Sequence, residues 1–413
     1  MKKYSRRNFI RKTLLSGAGI LSTGSISAFL DCAPTCPKKV PAPNRFKRVL
    51  ADLHVHPMLN DWINRSPLAV GLTQQVPVIN EIIMKEMNET GITWKSSHQA
   101  GIDMICVAHF DPFDEFLSMP TDPNPDAVRR TMWMMDILER DLKANQQYTT
   151  LVRNRQELIK LISIDKEKDW ENFRIAVVHT LEGGHALGGD LESLTEFARR
   201  GVAMIGITHF FTKVIATSAN SIPYFPDNNS QWVKQGLSEF GEEVVKRMEE
   251  LGIIVDVSHG TAKTIDDVLR VVKKPIVSSH SAVRALGDHG YSLFDEHVQQ
   301  IARDGGIVGV ILMPYWLSNF SDVDIAKKIG SLNDVVRTIR YLYKICGHRH
   351  ENIGIGTDFA GYIPAPNDMK CHGEIERLRH KLTVEFDHDE QIVEDIMANN
   401  VLNFFKQNWK SGL

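Results

Sequence analysis

The segment RIAVVHTLE (174–182) decides the fold, because it is an apolar run rich in β-branched residues that ends in a carboxylate. A strand without regular polar alternation is buried on both faces, which is typical of a parallel sheet covered by helices. Seven further segments share this pattern and bring the set to eight: RVLADLH (48–54), GIDMICVAH (101–109), GVAMIGITH (201–209), GIIVDVSH (252–259), KPIVSSH (274–280), GGIVGVILM (305–313) and NIGIGTD (352–358).

Amphipathic segments separate these predicted strands. Apolar residues recur at helical spacing over 126–145, 239–252, 261–274 and 334–347. Eight strand–helix units predict a closed (β/α)8 TIM-type barrel that occupies residues 48–413. The alternative is a doubly wound open sheet, but no glycine-rich dinucleotide fingerprint follows the first predicted strand.

The N-terminal residues have the pattern of an export signal. Residues 1–31 combine a basic start, MKKYSRRNFIRK, with an apolar stretch that is rich in glycine and serine. The pair Arg6-Arg7 indicates a twin-arginine signal peptide, so the export machinery of that pathway is an expected partner. We expect the mature protein in the periplasm or on the outer side of the inner membrane. A basic flank before a membrane anchor is the weaker alternative, since the stretch is poorly apolar for a spanning helix.

Residues 32–47 form a linker rich in proline and lysine. Cys32 at its start is a candidate for lipid anchoring, although Asp31 is an unusual residue before such a cysteine. None of the five cysteines of the chain forms a C-x-x-C pair, so cysteine does not supply metal chemistry. The 413 residues carry a net charge of −3 without a basic block, which argues against a nucleic-acid partner.

Ionisable side chains lie at the ends of seven of the eight predicted strands: His54, His56, His109, Glu182, His209, His259, His280 and Asp358. In a barrel these ends converge on one face, where active sites lie. So many unpaired imidazoles and carboxylates in one place would cost several kcal/mol. Divalent ions would offset that cost, because histidine and carboxylate are ligands suited to zinc.

The order of the strands assigns ligands to two ions. His54 and His56 project to the same face of one strand and can bind one ion. His259 and His280 come from neighbouring strands and can bind a second. Glu182 can bridge the two ions, which would then lie about 3.5–4 Å apart. Between them they would hold a shared hydroxide that attacks a carbonyl carbon.

The remaining strand-end residues receive separate roles. Asp358 is placed to take a proton from the water and to pass it to the leaving amine. His209 is a candidate donor to the oxyanion and contact for the substrate. His109 is interpreted as a structural or supporting histidine.

Several motifs resemble the membrane (renal) dipeptidase family, zinc peptidases of the amidohydrolase superfamily: LEGGHAL (181–187), GITHF (206–210), GLSEFGEEVVKRMEELGIIVDVSH (236–259), PIVSSHSAVRAL (275–286) and IGIGTDFAGY (353–362). The resemblance runs from about residue 49 to the C-terminus in the same motif order. It implies an amidohydrolase-type barrel with two zinc ions per chain, a bridging Glu182 and zinc ligands His259 and His280. It also implies that His209 contacts the substrate carbonyl and that Asp358 is catalytic. Members of the family often dimerise, so a homodimer is one possible state of this chain.

The chain departs from the family pattern at two places. His54-x-His56 replaces the family's His-x-Asp on the first strand, a change that keeps a zinc ligand. The arginine that binds the free carboxylate of a dipeptide in the family corresponds here to Tyr291. Arg284 is a candidate replacement for it, with a structural ion pair as the alternative interpretation.

The function predicted from the sequence is therefore hydrolysis of a dipeptide by two zinc ions and a bridging hydroxide. Because of Tyr291, the alternative substrate is another small amide, an N-acyl amino acid, a lactone or a modified peptide. A third alternative, a metal-binding surface protein without activity, has no need of Asp358.

Overall fold

A computed structural model describes the barrel and its helices. It describes residues 48–59, 92–112, 124, 126–166, 168–210, 215, 216, 218, 219, 236–319, 330–361 and 363–410. The predicted signal peptide (1–31) and linker (32–47) lie outside these residues, so their boundaries stay predictions.

Nine described strands form one parallel sheet: β1 (Ala51–Val55), β2 (Met104–His109), β3 (Thr149–Val152), β4 (Ile175–Leu181), β5 (Val202–Gly206), β6 (Ile254–Asp256), β7 (Val277–Ser281), β8 (Ile307–Ile311) and β9 (Ile353–Gly356). Their order is β2-β1-β9-β8-β7-β6-β5-β4-β3, and β2 also pairs with β4. The pairing of β2 with β4 closes eight strands into a barrel. The predicted (β/α)8 fold is confirmed.

The ninth strand, β3, was not among the predicted strands. It pairs with the first half of β4, from Thr149 opposite Ile175 to Val152 opposite Val178. From His179 onward, β4 pairs with β5 instead. Since β2 occupies the other edge of β4, β3 and β5 share one edge and only β5 belongs to the closed barrel.

Helices surround the barrel. The described α-helices are Trp94–Gln99, Asp126–Ala144, Arg155–Ile162, Ser193–Arg199, Glu239–Leu251, Ala262–Val271, Asp295–Arg303, Pro314–Leu317, Leu332–Ile345, Glu376–Glu385, Glu390–Glu394 and Asn400–Asn408. Their ends follow local chemistry: the Ser238 side chain accepts from Gly241 N, and Gly252 ends the same helix in the left-handed conformation. A capping box of Ser331 and Asp334 begins the helix Leu332–Ile345. The four helices predicted above are confirmed to within three residues at each end.

Two apolar clusters hold the sheet in place. The larger one packs strand residues such as Val107 and Val177 against Leu138 of the helix Asp126–Ala144. The smaller one packs other strand residues, among them Met104, against Phe405 of the last helix. Because all strands are parallel, their carboxyl ends open on one face of the barrel. None of the described helices is long and apolar enough to cross a membrane.

Candidate metal centre

Five buried side chains meet at the carboxyl ends of β1, β4, β6 and β7: His54, His56, Glu182, His259 and His280. Their ligand atoms form two sets that share one carboxylate. We call His54, His56 and Glu182 the first triad, and Glu182, His259 and His280 the second triad. Within each triad the ligand atoms lie no more than 4.8 Å from one another.

The two triads have the same spacing. The Nε2 atoms of His54 and His56 are 3.0 Å apart, as are those of His259 and His280. Glu182 Oε1 lies 3.3 Å from Nε2 of His54 and 3.3 Å from Nε2 of His259. Glu182 Oε2 lies 3.3 Å from Nε2 of His56. One carboxylate therefore faces both pairs of imidazoles.

The donor set fits divalent ions. Each triad presents two imidazole nitrogens and a carboxylate oxygen, which zinc and related ions accept as ligands. The Nε2 atoms face one another and Glu182, and in the neutral imidazole a nitrogen pair at this distance needs a shared cation or proton. Within the described part of the chain, Nδ1 of His56 and of His259 have no hydrogen-bond partner, whereas the Nε2 atoms of both residues face the shared carboxylate.

Backbone conformation directs two of the site residues. His259, three residues beyond the end of β6, has φ of 64°, and Asp358, two residues beyond β9, has φ of 56°. Left-handed backbone is unfavourable for residues with a side chain and is concentrated at functional sites.

Asp358 lies beside the first triad. Its Oδ1 is 3.4 Å from His56 Nε2, and its backbone N–H donates to the carbonyl of His54 over 2.8 Å. Gly361 leaves room for this carboxylate, because a Cβ there would lie 2.1 Å from Asp358 Oδ1. The predicted residue thus reaches the first triad with a buried carboxylate oxygen.

His209 lies on the other side of Glu182. Its Nε2 is 3.6 Å from Glu182 Oε1, and its ring centroid is 4.5 Å from that of His259. The ring is held between Phe110, at 4.3 Å, and Phe210, at 3.7 Å between centroids. These aromatic neighbours fix the imidazole at the rim of the second triad.

Charge is distributed unevenly over this site. Burial alone would raise the pKa of Glu182, but His209 and the two β1 histidines hold it well below its usual range. Burial lowers the pKa of His56, yet Glu182 and Asp358 outweigh it and raise that pKa to about 10. Burial and the neighbouring His209 lower the pKa of His259 to about 3.

Tyr291 and Arg284 both point to backbone carbonyls. The Tyr291 hydroxyl donates to the carbonyl of His280, and its ring lies 4.5 Å from that of His259. Burial raises the pKa of Tyr291 well above its usual range. Arg284 donates to the carbonyl of His289 over 2.7 Å and lies 4.4 Å from the centre of the Phe294 ring. Their roles toward a substrate stay predictions.

His109 is not part of either triad. Its Nε2 is 2.8 Å from Nδ1 of His179, whose Nε2 in turn is 3.4 Å from Glu139 Oε1. Glu139 belongs to the helix Asp126–Ala144 and also pairs with Arg200 over 2.7 Å. His109 therefore faces the helix layer, although its position at a strand end resembles that of the ligands.

The sequence analysis missed a polar layer beneath the triads. Asp256, Ser258 and Ser279 are buried and hydrogen-bonded to one another. Asp256 also belongs to a third set of potential ligand atoms, with His54 and His280. The signal was present: DVSH and SSH place polar residues inside strands that are otherwise apolar.

Comparison with known proteins gives consistent matches. A family model described as membrane dipeptidase (peptidase family M19) matches residues 115–411. An uncharacterized dipeptidase of Schizosaccharomyces pombe is 27% identical over 381 residues, which are 89% of this chain and 83% of that protein. A dipeptidase of Aspergillus oryzae is 33% identical over 197 residues, 48% of this chain and 43% of that protein.

Solved structures share the fold. A metallopeptidase of family M19, dipeptidase AC, superposes with a TM-score of 0.70 at 19% identity and covers 89% of this chain and 100% of its own. A metallopeptidase from Rhodobacter sphaeroides, solved with a phosphinate mimic of L-Ala-D-Ala, gives 0.63 at 19% identity over 88% and 99% of the two chains. The family model begins beyond β2, so it does not include His54 or His56.

Proposed function

This chain belongs to the membrane dipeptidase family (peptidase family M19) and is a metal-dependent hydrolase, and from that premise we propose that it cleaves the amide bond of dipeptides with two zinc ions and water. The observation that carries the proposal is the position of Glu182. Its carboxylate oxygens lie 3.3–3.4 Å from four imidazole Nε2 atoms, two from each side. A carboxylate shared in this way is what a pair of ions requires of a bridging ligand.

The ligands divide between the two ions as the triads do. His54, His56 and Glu182 would hold one, and Glu182, His259 and His280 the other. When bound, such ions lower the pKa of a water molecule and polarise the amide carbonyl. The protein contributes a fixed, buried set of five side chains, so little reorganisation is needed when the substrate arrives.

Asp358 is proposed as the general base and acid. Its Oδ1 lies 3.4 Å from His56 Nε2 and 4.0 Å from His54 Nε2 of the first triad. From there it can take a proton from the attacking water and hold it on Oδ1. It then passes that proton to the nitrogen of the leaving amine, which departs as a neutral group.

His209 is proposed to stabilise the oxyanion. Its Nε2 lies 3.6 Å from Glu182 Oε1, and the rings of Phe110 and Phe210 pack against the imidazole. A donor held in advance at the place where negative charge develops stabilises the transition state more than the substrate.

A second candidate substrate class is favoured by the contacts of Tyr291 and Arg284. The single donor of Tyr291 is used by the carbonyl of His280, and Arg284 is engaged by the carbonyl of His289 and by Asp288 Oδ1 over 3.5 Å, so neither side chain is a dedicated group for a substrate carboxylate. An amide whose leaving side is amidated, esterified or larger than a free amino acid would not need such a group. We therefore propose this class as the alternative to simple dipeptides.

We further propose that the protein acts outside the cytoplasm after twin-arginine export, in the periplasm or anchored through Cys32, and as a homodimer. Cys371 is disulfide-bonded, with its partner outside the described residues, and disulfides are typical of oxidising compartments. The signal in residues 1–31 supports the same proposal.

A screen of dipeptides with and without a chelator tests the proposed activity. The set includes L-Ala-D-Ala, since a structural neighbour was solved with its phosphinate mimic, together with C-terminally amidated counterparts. We expect the protein to hydrolyse at least one of the two substrate classes. A chelator should abolish this hydrolysis, and added zinc should restore it. Turnover that survives complete removal of metal, or no hydrolysis of any member by the zinc-loaded protein, would contradict the proposal.

A further inference from the structure

We propose that Ser279, supported by Asp256, is a positioning residue that holds one histidine of each triad in the tautomer needed for metal binding. The inference rests on the proposed binding of two ions. It concerns a side chain that touches neither substrate nor metal and acts only through the imidazoles above it.

Four polar side-chain atoms surround the Ser279 hydroxyl. The Oγ of Ser279 lies 2.6 Å from Asp256 Oδ2, 2.8 Å from His280 Nδ1 and 3.5 Å from His54 Nδ1. The fourth atom, Ser258 Oγ, is 3.2 Å away, and the shorter bond of that hydroxyl, 2.8 Å, is to Asp256. The rings of His54 and His280 are stacked, with centroids 3.7 Å apart, so both Nδ1 atoms face the same point. Ser279 is fully buried, and solvent cannot replace these partners.

Hydrogen-bond accounting fixes the direction of each contact. A carboxylate only accepts, so the single hydroxyl proton of Ser279 is donated to Asp256. The lone pairs of Oγ then face the imidazoles, and His280 must donate from Nδ1. This leaves Nε2 of His280 without a proton and with its lone pair directed at His259 and Glu182, as a metal ligand requires. The longer contact to His54 gives the same preference more weakly.

Asp256 cannot reverse this arrangement, because its other oxygen is fully used. Oδ1 accepts from the backbone N–H of Ser258 and of Ser279, each over 3.0 Å, and from the Ser258 hydroxyl over 2.8 Å. Four donors therefore converge on one carboxylate. The orientation of Asp256 follows from the pairing of β6 with β7, and that orientation reaches the triads through Ser279.

The other two histidines lack an equivalent support. Nδ1 of His56 and of His259 have no partner among the described residues. Each triad thus combines one histidine that faces Ser279 with one that does not. A single hydroxyl links the two triads, so its loss should weaken both ions rather than one.

Two substitutions and a matched control test the proposal. Ser279→Ala removes the acceptor for both imidazoles. Asp256→Asn reverses the direction: its oxygen keeps the two backbone donors, its amide donates to Ser279, and the released hydroxyl proton turns to His280 Nδ1. Ser278→Ala is the control, because Ser278 is equally buried on the same strand and contacts Ser281 and Ser258 rather than a ring.

The first readout is the tautomer of His280 in the metal-free protein, from ¹⁵N NMR of histidine-labelled samples with His280→Gln for assignment. We expect the Nδ1–H form in the unaltered protein and in Ser278→Ala, and the Nε2–H form in Asp256→Asn. This readout does not depend on metal uptake, so it remains decisive even if the proposed two-ion chemistry fails. An Nδ1–H signal that persists in Asp256→Asn would overturn the inference.

The second readout is zinc affinity by competition with a chromophoric chelator. Loss of a partner behind a ligating histidine typically weakens binding by about 10–100-fold. We expect this loss for both ions in Ser279→Ala, no change in Ser278→Ala, and thermal unfolding of the metal-free variants that matches the unaltered protein. Unchanged affinity in Ser279→Ala would refute the positioning role. Loss of one whole ion in Asp256→Asn alone would make Asp256 a ligand and would refute it as well.

Discussion

The two triads have the same ligand spacing, but His56 of the first triad and His259 of the second have very different pKa values. In both, the Nε2 atoms of the histidines are 3.0 Å apart and face Glu182. Beside the first triad lies the Asp358 carboxylate, which contributes to a pKa of about 10 at His56. Beside the second lie the imidazole of His209 and the ring of Tyr291, and the pKa of His259 is about 3. Burial lowers the pKa of His54, the other histidine of the first triad, so the contrast is between His56 and His259.

The difference suggests a division of labour. Under the proposed function, the proton acceptor Asp358 lies beside the first triad, and the oxyanion donor His209 lies beside the second together with the ring of Tyr291. Both triads depend on the Glu182 carboxylate, so its removal should impair metal binding at both. Changes at Asp358 should affect the first triad only, and changes near Tyr291 the second triad only.

The largest effect is expected from Glu182→Gln. An amide oxygen cannot supply the negative charge that both ions share, so the affinity for both ions should fall together. The loss should exceed the roughly 10–100-fold that is typical when a hydrogen-bond partner of a ligand is removed. Metal content and zinc affinity of the purified variant measure this. Retention of one ion at full affinity would mean that Glu182 serves only one triad.

The next largest effect, on turnover rather than on metal binding, is expected from Asp358→Asn. The amide keeps the shape of the side chain but accepts no proton, so turnover should fall by about 10²–10⁴-fold while both ions stay bound. Steady-state kinetics with parallel metal analysis separate the two quantities. If the variant keeps most of its activity at full metal content, proton transfer belongs to another residue, such as His209.

The contrast in pKa predicts different proton release. In the metal-free protein the pKa of His56 is about 10, so near neutral pH an ion entering the first triad must displace its proton, and affinity should fall roughly tenfold per pH unit below that value. The pKa of His259 is about 3, so binding to the second triad should be nearly independent of its proton above that pH.

Calorimetry in buffers of different ionisation enthalpy measures this release. His280→Gln leaves the first triad intact, and His56→Gln leaves the second. We expect about one proton released per ion in the former and close to none in the latter. Equal release from both variants would remove the electrostatic difference between the triads.

The smallest effect is expected in substrate preference beside the second triad. A charged hydrogen bond to a carboxylate is worth about 1.5–3 kcal/mol, and under the proposed function neither Tyr291, which donates to His280 O, nor Arg284, which contacts His289 O and Asp288, supplies one. The kcat/KM for the free acid should therefore exceed that for its amide by no more than about tenfold. Matched substrates compared by kcat/KM test this, with Arg284→Ala as the control. A strong preference for the free acid that survives Arg284→Ala would reveal another carboxylate-binding group.

Most of the barrel could be predicted because buried parallel strands are short apolar runs with a strong signal. The exception, β3, is the segment TTLV, which is half polar and pairs along only part of β4. The ligands were also predictable, since ionisable residues at the ends of apolar strands converge once the barrel closes. His109 has the same signal and faces a helix instead, because side-chain direction near a strand end depends on register.

Other features of the site depend on three-dimensional neighbours. The left-handed backbone of His259 and Asp358 is imposed by the turns around them and has no glycine or asparagine to announce it. The contact of Ser279 with Asp256 requires β6 and β7 to be adjacent in the sheet, and its contact with His54 requires the barrel to be closed. Sequence spacing contains neither fact.

The central claim is that one carboxylate holds two ions between two pairs of histidines. Elemental analysis of the protein, purified without chelators and supplied with zinc, tests this most directly. The account predicts two ions per chain, lost together in Glu182→Gln. A single ion per chain, or only a trace of metal in correctly folded protein, would contradict it.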